Sequence, residues 1–141
     1  MSFIEWLNNP SKIILGDGSN GTELMKMEIK GMKIPDTINI DHPQLVKKSL
    51  NSFYMSGSDM VQTVTLNANY LNLKRYNLED KTVEINRKAL ENVRKVCPQG
   101  KLVVGEIGPT ADFRSPLGSG NYIKWKTSYK KQIETLEGEK L

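Results

Sequence analysis

The chain has 141 residues, 38% of them hydrophobic and 26% charged, which suits one ordinary globular domain and is too short for two. No apolar run approaches the roughly 18 residues that span a bilayer, and residues 1–8 carry an acid and lack the basic start of a secretory signal, so a cytoplasmic location is the default expectation. Twenty basic against sixteen acidic residues leave a net charge of +4; the excess at Lys47-Lys48, Lys124, Lys126, Lys130 and Lys131 falls on polar helix faces without interleaved aromatics, which argues against nucleic acid as a partner.

The first expected element is a short buried strand, Lys12–Leu15, running into Gly16-Asp-Gly-Ser-Asn-Gly-Thr22. Glycines let a backbone turn with positive φ and approach a ligand closely, so N–H groups can converge on an anion. Asp17 sets a negative charge beside those donors. N–H groups for a carboxylate and a carboxylate for an ammonium suit a zwitterion, so the loop reads as an amino-acid pocket. An irregular Met-rich stretch follows over residues 24–32. The first clear helix is expected from Asp41, which can cap its free N–H groups, with Gln44 three residues on. Val46, Leu50, Phe53 and Tyr54 share one helical face, and Gly57 supplies a left-handed end.

Asp59–Leu66, rich in β-branched residues, is the second expected strand. A helix from about Asp80 follows, with Ile85, Ala89, Val93 and Val96 on one face, stopped by Pro98 and Gly100. Lys101–Ile107 is the third strand, an apolar run typical of a strand covered on both faces. A polar loop, residues 111–121, leads to a last helix with Tyr122, Trp125, Tyr129, Ile133 and Leu136 at helical spacing, expected to pack into the core. Repeated strand–helix units imply a parallel sheet. Polar and glycine-rich residues cluster at the carboxyl ends of its strands, where such folds bind ligands.

The single cysteine, Cys97, has no second cysteine for a disulfide and no neighbouring histidine, so it is expected to be inert. His42, the only histidine, reads as a surface residue in a first helical turn. Gly16-Asp-Gly-Ser-Asn-Gly21 also fits the dinucleotide-binding pattern. Against it, the next strand lies roughly 45 residues on, beyond the roughly 30-residue unit that pattern needs. No well-formed helix is expected at Gly21 to face a pyrophosphate, and Asp17 would repel phosphate.

Three segments in order, Asp17–Thr22, Asp59–Asn69 and Val104-Gly-Glu-Ile-Gly-Pro-Thr110, resemble the homocysteine S-methyltransferase family, which includes the homocysteine domain of cobalamin-dependent methionine synthase. Pro35-Asp-Thr-Ile-Asn39, Pro43 and Glu84-Ile-Asn86 match between them, so the resemblance covers residues 12 to about 136. It implies the first three βα units of a (β/α)8 TIM barrel, with residues 1–141 a partial homocysteine-binding domain. A closed barrel needs about 250 residues and eight strands. The chain is therefore expected to be the amino-terminal part of the domain, cut at its carboxyl end.

The activity implied is a methyltransferase reaction in methionine formation, with homocysteine as the small-molecule substrate. Family members activate the homocysteine thiol on zinc held by three cysteines of later strands, and zinc lowers a thiol's pKa so that the nucleophilic thiolate forms. Those ligands are absent here, so neither a catalytic nor a metal-binding residue is assigned, and this piece alone is expected to be inactive. The methyl donor is open: a methyl-corrinoid on a protein or domain, a methylated amino acid, a sulfonium or a betaine all fit. The alternatives to an enzyme piece are a non-catalytic remnant, a partner-binding segment or a dinucleotide-binding module.

The resemblance points to Asp17, Gly18, Ser19, Asn20, Thr65 and Glu106 as substrate-binding. Asp17 matches the acid that contacts the substrate's amino group, and the N–H groups after it match those that meet the carboxylate. Ser19-Asn20 stands where Ala-Met is usual, and Thr63-Val64-Thr65-Leu66 where Thr-Asn-Thr-Phe is common. Glu106 is unusual before Ile-Gly-Pro-Thr; at a strand's carboxyl end it either points into the site, where it favours a cationic ligand, or forms a surface salt bridge.

Overall fold

The computed structural model describes every residue except 1, 2, 10, 12, 28, 30, 31 and 139–141. Lys12 at the start of the first expected strand, and part of the Met-rich stretch, therefore lie outside the described residues. In chain order the elements are helix α1 (Phe3–Leu7), α2 (Asn20–Met25), a 3-10 turn (Pro35–Thr37), α3 (Ile38–Asp41) and α4 (Pro43–Met55). Strand β1 (Met60–Gln62), α5 (Tyr70–Lys74), a second 3-10 turn (Glu79–Lys81), α6 (Thr82–Val96), strand β2 (Leu102–Val104) and α7 (Tyr122–Glu137) follow. Among the described residues no helix is long and apolar enough to cross a membrane.

The sheet is a parallel pair, β1 and β2, with Met60 opposite Leu102 and Gln62 opposite Val104. Parallel pairing requires a crossover, here made by α5 and α6. Where three parallel strands were expected, the described residues hold two. The first segment does lie beside β1: Leu15 O accepts from Asp59 N (2.7 Å) and Met60 N (3.2 Å). Its other hydrogen bonds run through side chains: Leu15 N donates to Asp59 Oδ2 (3.1 Å), Ser58 Oγ donates to Gly16 O (3.2 Å) and Gln62 N donates to Asp17 Oδ2 (3.0 Å). Side-chain oxygens occupy the donors a backbone ladder would need, so no strand forms.

The same substitution shortens the other two strands. Beyond Gln62 and Val104, Glu106 N donates to Thr63 Oγ1 (2.9 Å), Thr65 Oγ1 donates to Glu106 O (2.7 Å), and the two threonine hydroxyls meet at 2.6 Å. The backbone keeps its direction but is joined through hydroxyls. Residues of β2 are half-buried throughout, so the expected cover on both faces is not present.

Helix α4 begins at Pro43, whose fixed φ and missing N–H suit the first helical position. Asp41, expected as its cap, is instead the last residue of α3, and α4 has no side-chain cap. Val46, Leu50 and Tyr54 are buried as their spacing predicts, and Gly57, at φ +109°, ends the helix region. Tyr54 OH donates to Leu102 O (2.8 Å), tying α4 to β2. Helix α6 starts at Thr82 and buries Ile85, Ala89 and Val93 fully. The main core joins Leu24, Ile38, Val46, Leu50, Val61, Val64 and Val93; each fully buried aliphatic side chain contributes about 1.5–3 kcal/mol.

Helix α7 turns only part of its expected face inward, with Tyr129 half-buried. Tyr122 is 72% exposed and Ile133 41% exposed, Trp125 and Leu136 are only half-buried, and the side chains buried outright are Ser128 and Gln132. The surface beneath Ser128 and Gln132 presents polar groups. Leu71 N donates to Ser128 Oγ (3.2 Å), and Gln132 Nε2 donates to Thr65 O (3.0 Å) and Asn86 Oδ1 (3.1 Å). Buried backbone groups must find partners, and here a polar helix face provides them.

Candidate functional site

Beyond the carboxyl ends of β1 and β2 the chain encloses a cavity of about 310 Å3. Its walls are the loop of Gly18, Ser19, Asn20 and Gly21, the Pro35-Asp36 turn, Gln62 with Val64, Leu66 and Asn67 after β1, and Glu106 after β2. A larger, more open groove of about 710 Å3 runs between α6 and α7 past Arg87, Arg94 and Lys131. It lies on the helix surface, away from the strand ends, and we take the smaller cavity as the site.

Each wall is held by long-range hydrogen bonds. Asp17 does not line the cavity; it binds the loop to β1. Its Oδ2 accepts from Gln62 N (3.0 Å) and Asn20 Nδ2 (2.8 Å), and its Oδ1 accepts from Gln62 Nε2 (3.0 Å). Ser19 caps α2, its Oγ accepting from Thr22 N at 3.3 Å. A six-residue helix thus begins at Asn20, where none was expected. Three carboxylates around the cavity still make its mouth unsuited to a pyrophosphate.

Buried amides fix the segment after β1. Asn39 Nδ2 donates to Val64 O (2.8 Å), Asn86 Nδ2 to Ala68 O (2.8 Å) and Asn69 Nδ2 to Pro109 O (3.0 Å). With Gln132 on Thr65 O, elements α3, α6 and α7 and the loop after β2 each help to position one loop. Thr65 is fully buried and works beneath the wall rather than in it. Gly108 packs so closely on this loop that a Cβ there would sit 2.1 Å from Leu66 O.

Two acids face the cavity. Asp36 is 1% exposed; its Oδ1 accepts from Asn67 N (2.8 Å) and its Oδ2 from Asn67 Nδ2 (3.2 Å). Burial pushes its carboxyl up to about 6 from 3.8, the Asn67 hydrogen bonds acting the other way. Glu106 is also raised above the ordinary carboxylate range, first by burial and then by the nearby Asp36 charge, against backbone N–H groups of Thr65 and Leu66.

Of the six residues expected at the site, the structure brings Gly18, Ser19, Asn20 and Glu106 to the cavity wall and places Asp17 and Thr65 behind it. Sequence reasoning passed over Asp36, Gln62 and Asn67. In the sequence, Pro35-Asp36 reads only as a connecting match between the three motifs. Its role rests on a contact with Asn67, 31 residues away, which no local pattern displays.

The donors present do not fit a thiolate zinc centre. The sequence has one cysteine, Cys97, at the end of α6 and not among the cavity's walls. Among the described residues no three His, Cys, Asp or Glu side chains are grouped to hold a metal ion.

The pattern that defines the homocysteine S-methyltransferase family matches residues 14–140. The chain belongs to this family. Among its relatives are the methionine synthase of Mycobacterium leprae, 24% identical over 130 residues covering 84% of this chain and 11% of the relative. Homocysteine S-methyltransferase 1 of Saccharomyces cerevisiae is 24% identical over 154 residues, covering 92% of this chain and 46% of the relative. The metallated form of the Escherichia coli homocysteine methyltransferase MmuM superposes with a TM-score of 0.69 at 22% identity, over 90% of this chain and 51% of that one. The fold is therefore that of part of a homocysteine methyltransferase. The chain spans about half the length, or less, of these family members.

Proposed function

We propose that this chain forms the amino-acid-binding part of a homocysteine S-methyltransferase, the complete enzyme transferring a methyl group to the thiol of homocysteine. The observation that carries this reading is the small acidic cavity at the carboxyl ends of two parallel strands, walled by the glycine loop and by Glu106. Ligands bind at this end of parallel α/β folds. Methyl transfer to a thiol needs the thiolate, and a free thiol of pKa about 8.5 is mostly protonated at neutral pH. These residues provide nothing to hold a thiolate, so the 141-residue chain binds the amino-acid end of the substrate and leaves activation to groups it does not carry. A corrinoid-bearing partner fits the methionine synthase relatives, as does a cytoplasmic setting.

Calorimetric titration of the chain with homocysteine and, separately, NAD tests the reading. Homocysteine is expected to bind with 1:1 stoichiometry and without methyl transfer, and NAD is expected not to bind. NAD binding in the absence of homocysteine binding would replace the amino-acid pocket with a nucleotide site.

A further inference from the structure

One edge of the sheet is open. Leu102 N donates to Asp59 O (2.9 Å) and Thr63 N donates to Val104 O (2.9 Å), so Leu102 and Val104 turn their backbone groups to β1. Val103, between them, points its N–H and its C=O away from β1, and among the described residues nothing bonds to either. A strand edge of this kind is a template for pairing with another chain.

Proteins commonly guard such an edge with a proline, a bulge or a free lysine charge. None of the three protects β2. Its residues are Leu-Val-Val, and its register against β1 runs without a bulge. Lys101 stands just before it, but Lys101 Nζ donates to Asp59 Oδ1 at 2.9 Å, which draws the charge to the β1 side and away from the open edge. The backbone keeps its direction as far as Glu106 through the threonine hydroxyls, so the edge extends beyond the strand itself.

The exposed area points the same way. The chain, of 15.9 kDa, exposes 9170 Å2, whereas a folded monomer of that mass exposes roughly 7,400 Å2. The excess of about 1,800 Å2 exceeds the roughly 800 Å2 that each partner contributes to a stable interface. Part of it flanks the edge. Leu136 Cδ1 lies against Gly105, just beyond β2, and Ile133, one turn earlier on that face of α7, is 41% exposed.

We propose that two copies of this chain pair through β2, antiparallel, about a two-fold axis at Val103. In a hydrogen-bonded antiparallel pair the two opposed residues exchange both N–H···O bonds, so each Val103 satisfies the other. The contact is self-complementary and closes at two copies. A second copy suits the edge because β2 is itself apolar and β-branched, the chemistry that pairs well across strands. The sheet becomes four-stranded, β1-β2-β2-β1, and the two α7 helices come side by side along their Ile133 faces.

The test is sedimentation of the full chain from about 1 to 200 μM, the range in which the weaker contacts of this size associate; a monomer–dimer equilibrium is expected. Amide exchange on the same samples should show the Val103 N–H more protected as concentration rises. The Leu102 and Thr63 N–H groups, bonded within each copy, should keep the same protection throughout. Val103→Pro removes no hydrogen bond within the chain, and proline is tolerated at such an edge position. It should weaken dimerisation about a hundredfold or more, because two bonds are lost at once.

A chain that stays monomeric over this range overturns the pairing and leaves the edge to a strand of a different protein. A dimer in which the Val103 N–H exchanges as fast as in the monomer overturns it too. So does a folded Val103→Pro protein that dimerises as the parent does, which would place the contact on another face. The exchange measurement uses the unmutated chain and decides the matter however the variant folds.

Discussion

Asp36 makes the stability of this chain depend on pH in a direction opposite to that of most paired carboxylates. Its carboxyl is 1% exposed and rises from 3.8 to about 6 on folding. Between those values the folded chain binds more protons than the unfolded chain, so stability falls as pH rises, and the full penalty is present above about pH 6. At about 1.4 kcal/mol per decade, the rise corresponds to about 3 kcal/mol. Asp36→Asn removes this dependence. The new amide oxygen can still accept from Asn67 N, whereas the side-chain bond to Asn67 Nδ2 is lost at a pH-independent cost of about 1 kcal/mol. The variant should therefore be the less stable protein near pH 4 and gain about 2–3 kcal/mol relative to the parent by pH 7.5. Removing the Asp36 charge also relieves Glu106, which adds in the same direction. Urea denaturation of both proteins at half-unit steps between pH 4 and 7.5 measures the difference directly and cancels every other titrating group to first order. A difference that stays constant within about 0.5 kcal/mol over that range would show that Asp36 is ionised throughout and that its burial is not a charge penalty.

Two further expectations concern packing. Gly108→Ala places a methyl 2.1 Å from the Leu66 carbonyl oxygen, so the variant should lose about 1–3 kcal/mol or more in urea denaturation; a melting temperature equal to the parent's would mean that the loop after β1 yields freely. Tyr122→Lys, at a position 72% exposed on the apolar stripe of α7, should change stability by less than about 0.5 kcal/mol. Ile85→Ala, on the fully buried face of α6, should cost about 2–5 kcal/mol, and equal losses in the two variants would restore the stripe to the core.

Much of this fold is legible in the sequence wherever one element's own periodicity decides it. Val46, Leu50 and Tyr54 on α4, and Ile85, Ala89 and Val93 on α6, are buried as their spacing predicts, because a helix of amphipathic pattern buries its apolar stripe whatever lies opposite. Gly57 ends α4 region for an equally local reason. The family was visible too, in short motifs at the strand ends. Tertiary structure alone decided where those motifs' side chains go. Asp17 turns its oxygens to Gln62, 45 residues away, and thereby replaces a strand's hydrogen bonds. Ser128 and Gln132 are the residues buried outright on α7, ahead of Tyr122 and Ile133 of the apolar stripe, because the surface beneath them presents an N–H and a carbonyl that need partners. Asp36 enters the site only through Asn67. Apolar periodicity reports how much water an element avoids; it does not report which distant polar group will complete a hydrogen bond, and in this cavity such pairings set the geometry.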